Sequence, residues 1–160
     1  MLATGSDTSV PQIPGLAEAG FWTNREATTL NELPESVVVL GGGPVGIELG
    51  QFLRRFGARV TIVEMADRLL PREEAAVGEI IGDALREDGI ELRLGAGTRE
   101  VAQTDRGRTV RLDDGSELDA EQLLVAVGRT PRVGGIGLET VGIHPSPSGI
   151  DIDERCRSSA

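Results

Sequence analysis

Residues 37 to 50 read VVVLGGGPVGIELG, and within them Gly41, Gly43 and Gly46 keep the spacing G-x-G-x-x-G between an apolar run and a helical pattern. The chemistry open to such a stretch is anion recognition by backbone. Gly41 permits the tight turn, Gly43 lets main chain approach a pyrophosphate, and Gly46 lets helix and strand pack closely, a face that Gly50 extends one turn on. Pro44 suits the first helical position, where its missing N–H is not needed. The helix N-terminus then offers free N–H groups and a partial positive charge to phosphate. Glu64 follows Gly41 by 23 residues, at the end of the next apolar run. A carboxylate there accepts both hydroxyls of an adenosine ribose. It also repels a 2′-phosphate, by about 4 kcal/mol at about 4 Å and an effective dielectric near 20, before solvent screening. This spacing therefore predicts a dinucleotide site preferring NAD(H) to NADP(H). Arg68, in EMADRLLPR, is the nearest cation that could reverse the choice.

Other chemistries lack their residues. All 16 basic residues are Arg, so no lysine can form a Schiff base or act as a catalytic amine. The single Cys156 excludes an internal disulfide or a Cys-x-x-Cys pair. With one His as well, His144 in a turn-rich loop, zinc sites and nucleophilic triads are short of ligands or partners. The net charge of −10 opposes nucleic acid or an anionic membrane as partner.

The elements that must position the glycine turn follow from the pattern around it. Val37 to Leu40, apolar on both faces, reads as a central parallel strand. A helix begins at Pro44 and ends at Gly57, with Leu49, Phe52, Leu53 and Phe56 as its expected buried face. ARVTIVE, 58 to 64, is the next strand. A second helix is expected over about Arg72 to Asp88, burying Val77, Ile80, Ile81, Ala84 and Leu85, with Glu73 and Glu74 at its start and Gly89 closing it. IELRLGA is a third strand, and the β-α-β-α-β alternation predicts a parallel sheet. Residues 98 to 119 instead alternate apolar and polar residues around two turns and predict an antiparallel meander; QLLVAVG, 122 to 128, returns as the fourth parallel strand. The expected fold class is α/β: a Rossmann-like parallel sheet with helices on one face and a three-stranded antiparallel meander on the other. VGGIGLETVG repeats a Gly-x-Gly without strand or helix around it and reads as a decoy.

With these residues in place, the chain resembles the central NAD-binding domain of the flavoprotein disulfide reductases, the group of dihydrolipoamide dehydrogenase, mercuric reductase and glutathione reductase. LATGSDTSVPQIPG is similar to their exit from the first half of the FAD domain. LPESVVVLGGGPVGIELG and VTIVEMADRLLP are similar to their NAD fingerprint and the loop beyond it, LLVAVGRTPR to the motif near the domain's end, and GIDIDERCRSSA to the return into the FAD domain. The resemblance implies that Gly41, Gly42, Gly43, Pro44, Val45 and Gly46 wrap the pyrophosphate, while Glu64, with Met65 beside it, holds the adenosine ribose. It implies further that Val101 contacts the adenine, Gly128 lies toward the nicotinamide, and Thr4, Gly5 and Ser6 contact FAD. Glu48 matches a glutamate that pairs with a lysine beside the flavin; its other reading is a first-turn carboxylate stabilised by the helix dipole. The family's NADP-using branch has alanine at Gly46 and Gly50, arginine at Met65 and Pro71, and no acid at Glu64, so all five positions match the NAD branch. Arg132 departs from the asparagine that many relatives carry there.

The resemblance divides the chain into a connecting segment from the FAD domain (1–35), the NAD-binding domain (36–130) and a connecting segment back (131–160). Its partners would be the FAD and dimerisation domains of the same polypeptide, in a cytoplasmic homodimer. On this reading the chain is cut from a longer enzyme and has no catalytic residue of its own, and alone it binds NAD(H) without turnover. Two alternatives stay open: a domain of an NADH oxidase or ferredoxin or rubredoxin reductase type flavoprotein, and a free-standing NAD(H)-sensing module.

Overall fold

The computed structural model describes residues 1–160. Its strands are β1 (Ser6–Thr8), β2 (Ser36–Leu40), β3 (Arg59–Glu64), β4 (Glu91–Leu94), β5 (Thr98–Thr104), β6 (Gly107–Leu112), β7 (Glu117–Ala120), β8 (Gln122–Val125) and β9 (Arg129–Pro131). Its helices are α1 (Leu16–Ala19), α2 (Asn24–Thr28), α3 (Pro44–Arg55) and α4 (Ala75–Glu87). The chain forms two compact units, Val10–Val127 in one, and Met1–Ser9 with Gly128–Ala160 in the other.

In the larger unit β4-β3-β2-β8 make a parallel sheet and β5-β6-β7 an antiparallel one. From β2 the chain steps outward to β3 and β4 through α3 and α4, then returns to β8 on the other side of β2. Right-handed crossovers put connections on opposite faces of a sheet when the direction of travel reverses. That is why helices cover one face and the meander the other. Alternation along β2 serves both layers: Val37 and Val39 pack with Ile47, Leu53, Leu69 and Leu85 under the helices. Val38 and Leu40 pack with Val101, Val110 and Leu112 under the meander.

Residues 10–35 belong to this larger unit. The free edge of β8 is covered by Trp22, whose N–H donates to the Leu123 carbonyl (2.7 Å) and whose carbonyl accepts from the Val125 N–H (2.8 Å). Such cover protects an exposed strand edge. Thr23 and Glu26 form a capping box that starts α2.

The buried faces of the two long helices differ from the expectation. On α3 the buried residues are Gly46, Ile47, Gly50 and Leu53, while Phe52 and Phe56 are 42% and 69% exposed, their rings tilted against each other at 4.8 Å. On α4 they are Gly78, Gly82 and Leu85, while Val77, Ile80 and Ala84 are exposed. The cause is close approach. A methyl at Gly50 would stand 3.2 Å from Ile62 Cδ1, and one at Gly78 only 2.5 Å from the Leu69 carbonyl oxygen. Each helix buries its glycines beside only one or two of its large apolar residues, Ile47 and Leu53 on α3 and Leu85 on α4.

In the smaller unit β1 pairs antiparallel with β9. Arg129 Nε donates to Ser6 Oγ (2.7 Å), and Arg132 grips Asp7 with two hydrogen bonds, one of them Nε to Oδ2 at 2.7 Å. Asp7 thereby raises the pKa of the Arg132 guanidinium. The Arg132 departure thus has its own partner within the unit. The second Gly-x-Gly only leads into a 3-10 turn, Leu138–Val141, with no strand or long helix beside it.

Candidate nucleotide site

β2 ends at Leu40 and the chain turns at once. Gly41 takes φ +111°, in the left-handed region, and an added Cβ would come within 2.6 Å of the Ala126 carbonyl oxygen. Its N–H donates to the Val63 carbonyl at 2.8 Å. At Gly46 an added Cβ would overlap the Gly41 carbonyl oxygen, so helix and turn are in contact. Gly43 differs from both. Its backbone is extended (φ −81°, ψ 179°) and nothing lies within 4 Å of where a Cβ would stand. No protein atom demands glycine there, and the open space is what a ligand approaching the main chain requires.

Pro44 opens α3, and Ile47 is the first residue whose N–H finds an acceptor in the preceding turn, the Gly43 carbonyl at 3.0 Å. The first-turn N–H groups of Val45 and Gly46 remain for an outside acceptor. Pro44 is exposed, Val45 half-buried and Gly46 buried.

Glu64, the last residue of β3, reaches the turn: its Oε2 accepts from the Gly42 N–H at 2.7 Å and its Oε1 from the Ala66 N–H at 2.8 Å. The Gly42 carbonyl accepts from the Leu70 N–H at 3.0 Å. The sequence places Glu64 at the end of the next strand but does not reveal these bonds, because no spacing rule reports which backbone amide a carboxylate meets. Met65, next to it, is 79% exposed. Arg68 Nη2 donates to the Pro71 and Glu73 carbonyls (2.9 and 3.2 Å), so the nearest cation is committed to its own loop.

All these groups lie beyond the carboxyl ends of the parallel strands, at β2, where the chain's direction of travel reverses. Open α/β sheets bind ligands at such a switch point. A concavity of about 370 Å³ opens instead at the other end of the sheet, lined by Ser36, Arg59, Glu91, Glu117 and Asp119 among others. Its three carboxylates outnumber its two arginines, Arg54 and Arg59, which disfavours a phosphate ligand.

The remaining residues are placed as follows. Val101 sits in β5 with its side chain 2% exposed in the core under the meander, and its N–H donates to the Pro14 carbonyl at 2.9 Å. Its side chain is therefore engaged in packing. Glu48 is exposed and is the fifth residue of α3, beyond the first turn where the dipole is felt. Gly128 (φ +141°), Thr4, Gly5 and Ser6 belong to the smaller unit. There the Gly128 carbonyl accepts from Ser9 N–H (3.0 Å), the Gly5 carbonyl from Arg132 N–H (3.0 Å), and Thr4 Oγ1 donates to the Arg132 carbonyl (2.6 Å). His144 and Cys156 are exposed, and no group of three or more His, Cys, Asp or Glu residues could hold a metal ion. No helix is long and apolar enough to cross a membrane.

A parallel sheet bearing this glycine turn, with a meander in place of a helical layer, defines a Rossmann-like α/β domain. The chain belongs to the pyridine nucleotide-disulphide oxidoreductase family, whose sequence profile matches residues 1–160. It is 42% identical to a dihydrolipoyl dehydrogenase of Chlorobaculum tepidum over 100% of this chain and 35% of that protein. It is 37% identical to a mercuric reductase of Shigella flexneri over 99% of this chain and 29% of that one. The flavoprotein disulfide reductase RclA of Escherichia coli, induced by HOCl, superposes with a TM-score of 0.89 at 32% identity, covering 99% of this chain and 37% of that one. The chain thus spans about a third of the length of the relatives it matches.

Proposed function

We propose that this chain is the NAD(H)-binding domain of an FAD-dependent oxidoreductase of its family, presenting NADH to the flavin of the parent enzyme. The observation that carries the reading is the turn itself: open space at Gly43, uncommitted N–H groups at Val45 and Gly46, and the Glu64 carboxylate beside them. NADH supplies a hydride when bound. The residues of this chain supply position and choice, not bond-making. Backbone from Gly41 to Gly46 holds the pyrophosphate against the α3 N-terminus. Glu64 and Met65 face the adenosine ribose, and Glu64 repels a 2′-phosphate that Arg68, bound to its own loop, does not neutralise. Gly128 is assigned to the nicotinamide side and Thr4, Gly5 and Ser6 to FAD. The FAD and dimerisation domains of a cytoplasmic homodimer complete the parent, and the 160-residue chain alone binds nucleotide without turnover.

Calorimetric titration with NADH and NADPH, repeated on Glu64→Ala, tests this reading. The expected result is NADH binding in the micromolar to millimolar range, much weaker NADPH binding, and a collapse of that preference in the variant. Equal affinity for the two nucleotides in the unaltered chain would refute the cofactor choice.

A further inference from the structure

The peptide groups flanking Gly42 are held by the last residue of β3 and by the segment that follows it. On one side the Gly42 N–H donates to Glu64 Oε2 at 2.7 Å; on the other, its carbonyl accepts from the Leu70 N–H at 3.0 Å. Leu70 takes φ +50°, a left-handed conformation that a leucine adopts only at a cost. Leu69 is 1% exposed, and its Cδ2 would stand 2.7 Å from a methyl at Gly42. From behind, Gly78 of α4 closes on the Leu69 carbonyl, where an added Cβ would come within 2.5 Å. The second Glu64 oxygen is tied to Ala66 N–H at 2.8 Å, which fixes the carboxylate from the far side. Strain kept in a loop points to a constraint that the surrounding structure imposes.

We infer that Glu64, backed by the Leu69–Leu70 turn and Gly78, is a positioning residue for the phosphate-binding turn as well as a partner for the ribose. It holds Gly42 so that the neighbouring main chain is set for the pyrophosphate before nucleotide arrives. The inference rests on the nucleotide reading above and deepens it. Removing the carboxylate then weakens the phosphate contacts too, although Glu64 touches no phosphate. Preorganisation of this kind raises affinity by removing the cost of ordering the loop on binding.

The discriminating probe is 2′,3′-dideoxy-ADP, which keeps both phosphates and lacks the ribose hydroxyls. It is titrated into the 160-residue chain and into Glu64→Ala and Gly78→Ala, with NADH alongside. Amide hydrogen exchange over residues 41–46 is followed without ligand. If Glu64 positions the turn, Glu64→Ala loses about three- to tenfold in dideoxy-ADP affinity, the scale of one hydrogen bond. Exchange at Gly42 also accelerates in that variant. Gly78→Ala, remote from any nucleotide contact, moves both readouts in the same direction. Glu64→Ala binding dideoxy-ADP as tightly as the unaltered chain while losing NADH affinity, with Gly42 exchange unchanged, overturns the positioning role and leaves the nucleotide reading standing. An unaltered chain that binds neither compound overturns both. Should Gly78→Ala not fold, the Glu64→Ala comparison decides alone.

Discussion

Gly41 and Gly43 differ in what an added methyl would meet, and that separates folding from binding residue by residue. Gly41→Ala forces a left-handed backbone and drives Cβ to 2.6 Å from Ala126 O. Chevron or denaturant unfolding should show a loss of about 1–3 kcal/mol from the backbone conformation, with overlap adding to it. Gly43→Ala meets nothing within 4 Å at φ −81°, so its unfolding midpoint should stay within about 0.5 kcal/mol of the parent chain. Its NADH affinity should nonetheless fall at least about tenfold, because the methyl fills the space a pyrophosphate needs. A Gly43→Ala chain with unchanged NADH affinity would mean that the turn does not cradle the ligand. At this scale the sequence was informative about residue types: the glycine spacing and Glu64 were legible because each answers a steric or charge requirement. The bonds from Glu64 to Gly42 and Ala66 were not, since they depend on how two loops meet after folding.

At the scale of elements, α3 and α4 show where periodicity misleads. Apolar residues at helical spacing point to a core face, yet the rings of Phe52 and Phe56 meet tilted at the surface while Gly46 and Gly50 face the sheet. Glycine carries no hydropathy signal, so a face built for close approach is invisible to a pattern of large apolar residues. Leu53 on α3 and Leu85 on α4, at 0% and 1% exposure, are buried as the periodicity expects. Leu53→Ala should therefore cost about 2–5 kcal/mol in denaturant unfolding. Phe56→Ser should cost under about 1 kcal/mol, and a larger loss would show that the exposed aromatic pair carries part of the core. The strands were more legible, because β2 is apolar on both faces and the meander alternates, each pattern matching the layers that cover it. The start of α2 adds a pH dependence. The hydroxyl and N–H of Thr23 donate to Glu26 Oε2, both at 2.7 Å, and hold that carboxyl below the usual glutamate range. A lowered pKa stabilises the fold above the unfolded-state value, about 4.3, and the contribution fades as pH falls through the lower folded value. Thermal melts should show Glu26→Gln less stable than the parent at pH 6, with the gap closing below about pH 4.

For the whole molecule, strand order decides where function can lie. The reversal at β2 brings the glycine turn, the end of β3 and the segment after β8 to one edge of the parallel sheet. With a net charge of −10, the phosphates of the proposed nucleotide would be met by oriented backbone rather than by a basic surface. The nucleotide site proposed at that edge is tested most directly by titrating NADH into the 15N-labelled chain and following each backbone amide by NMR. Saturable shifts are expected to concentrate on Gly41 to Gly46 and on Glu64 to Ala66, while amides at the opposite end of the sheet, such as Arg59 and Glu91, stay unmoved. Shifts concentrated around Arg59 and Glu91, with the glycine turn silent, would contradict it.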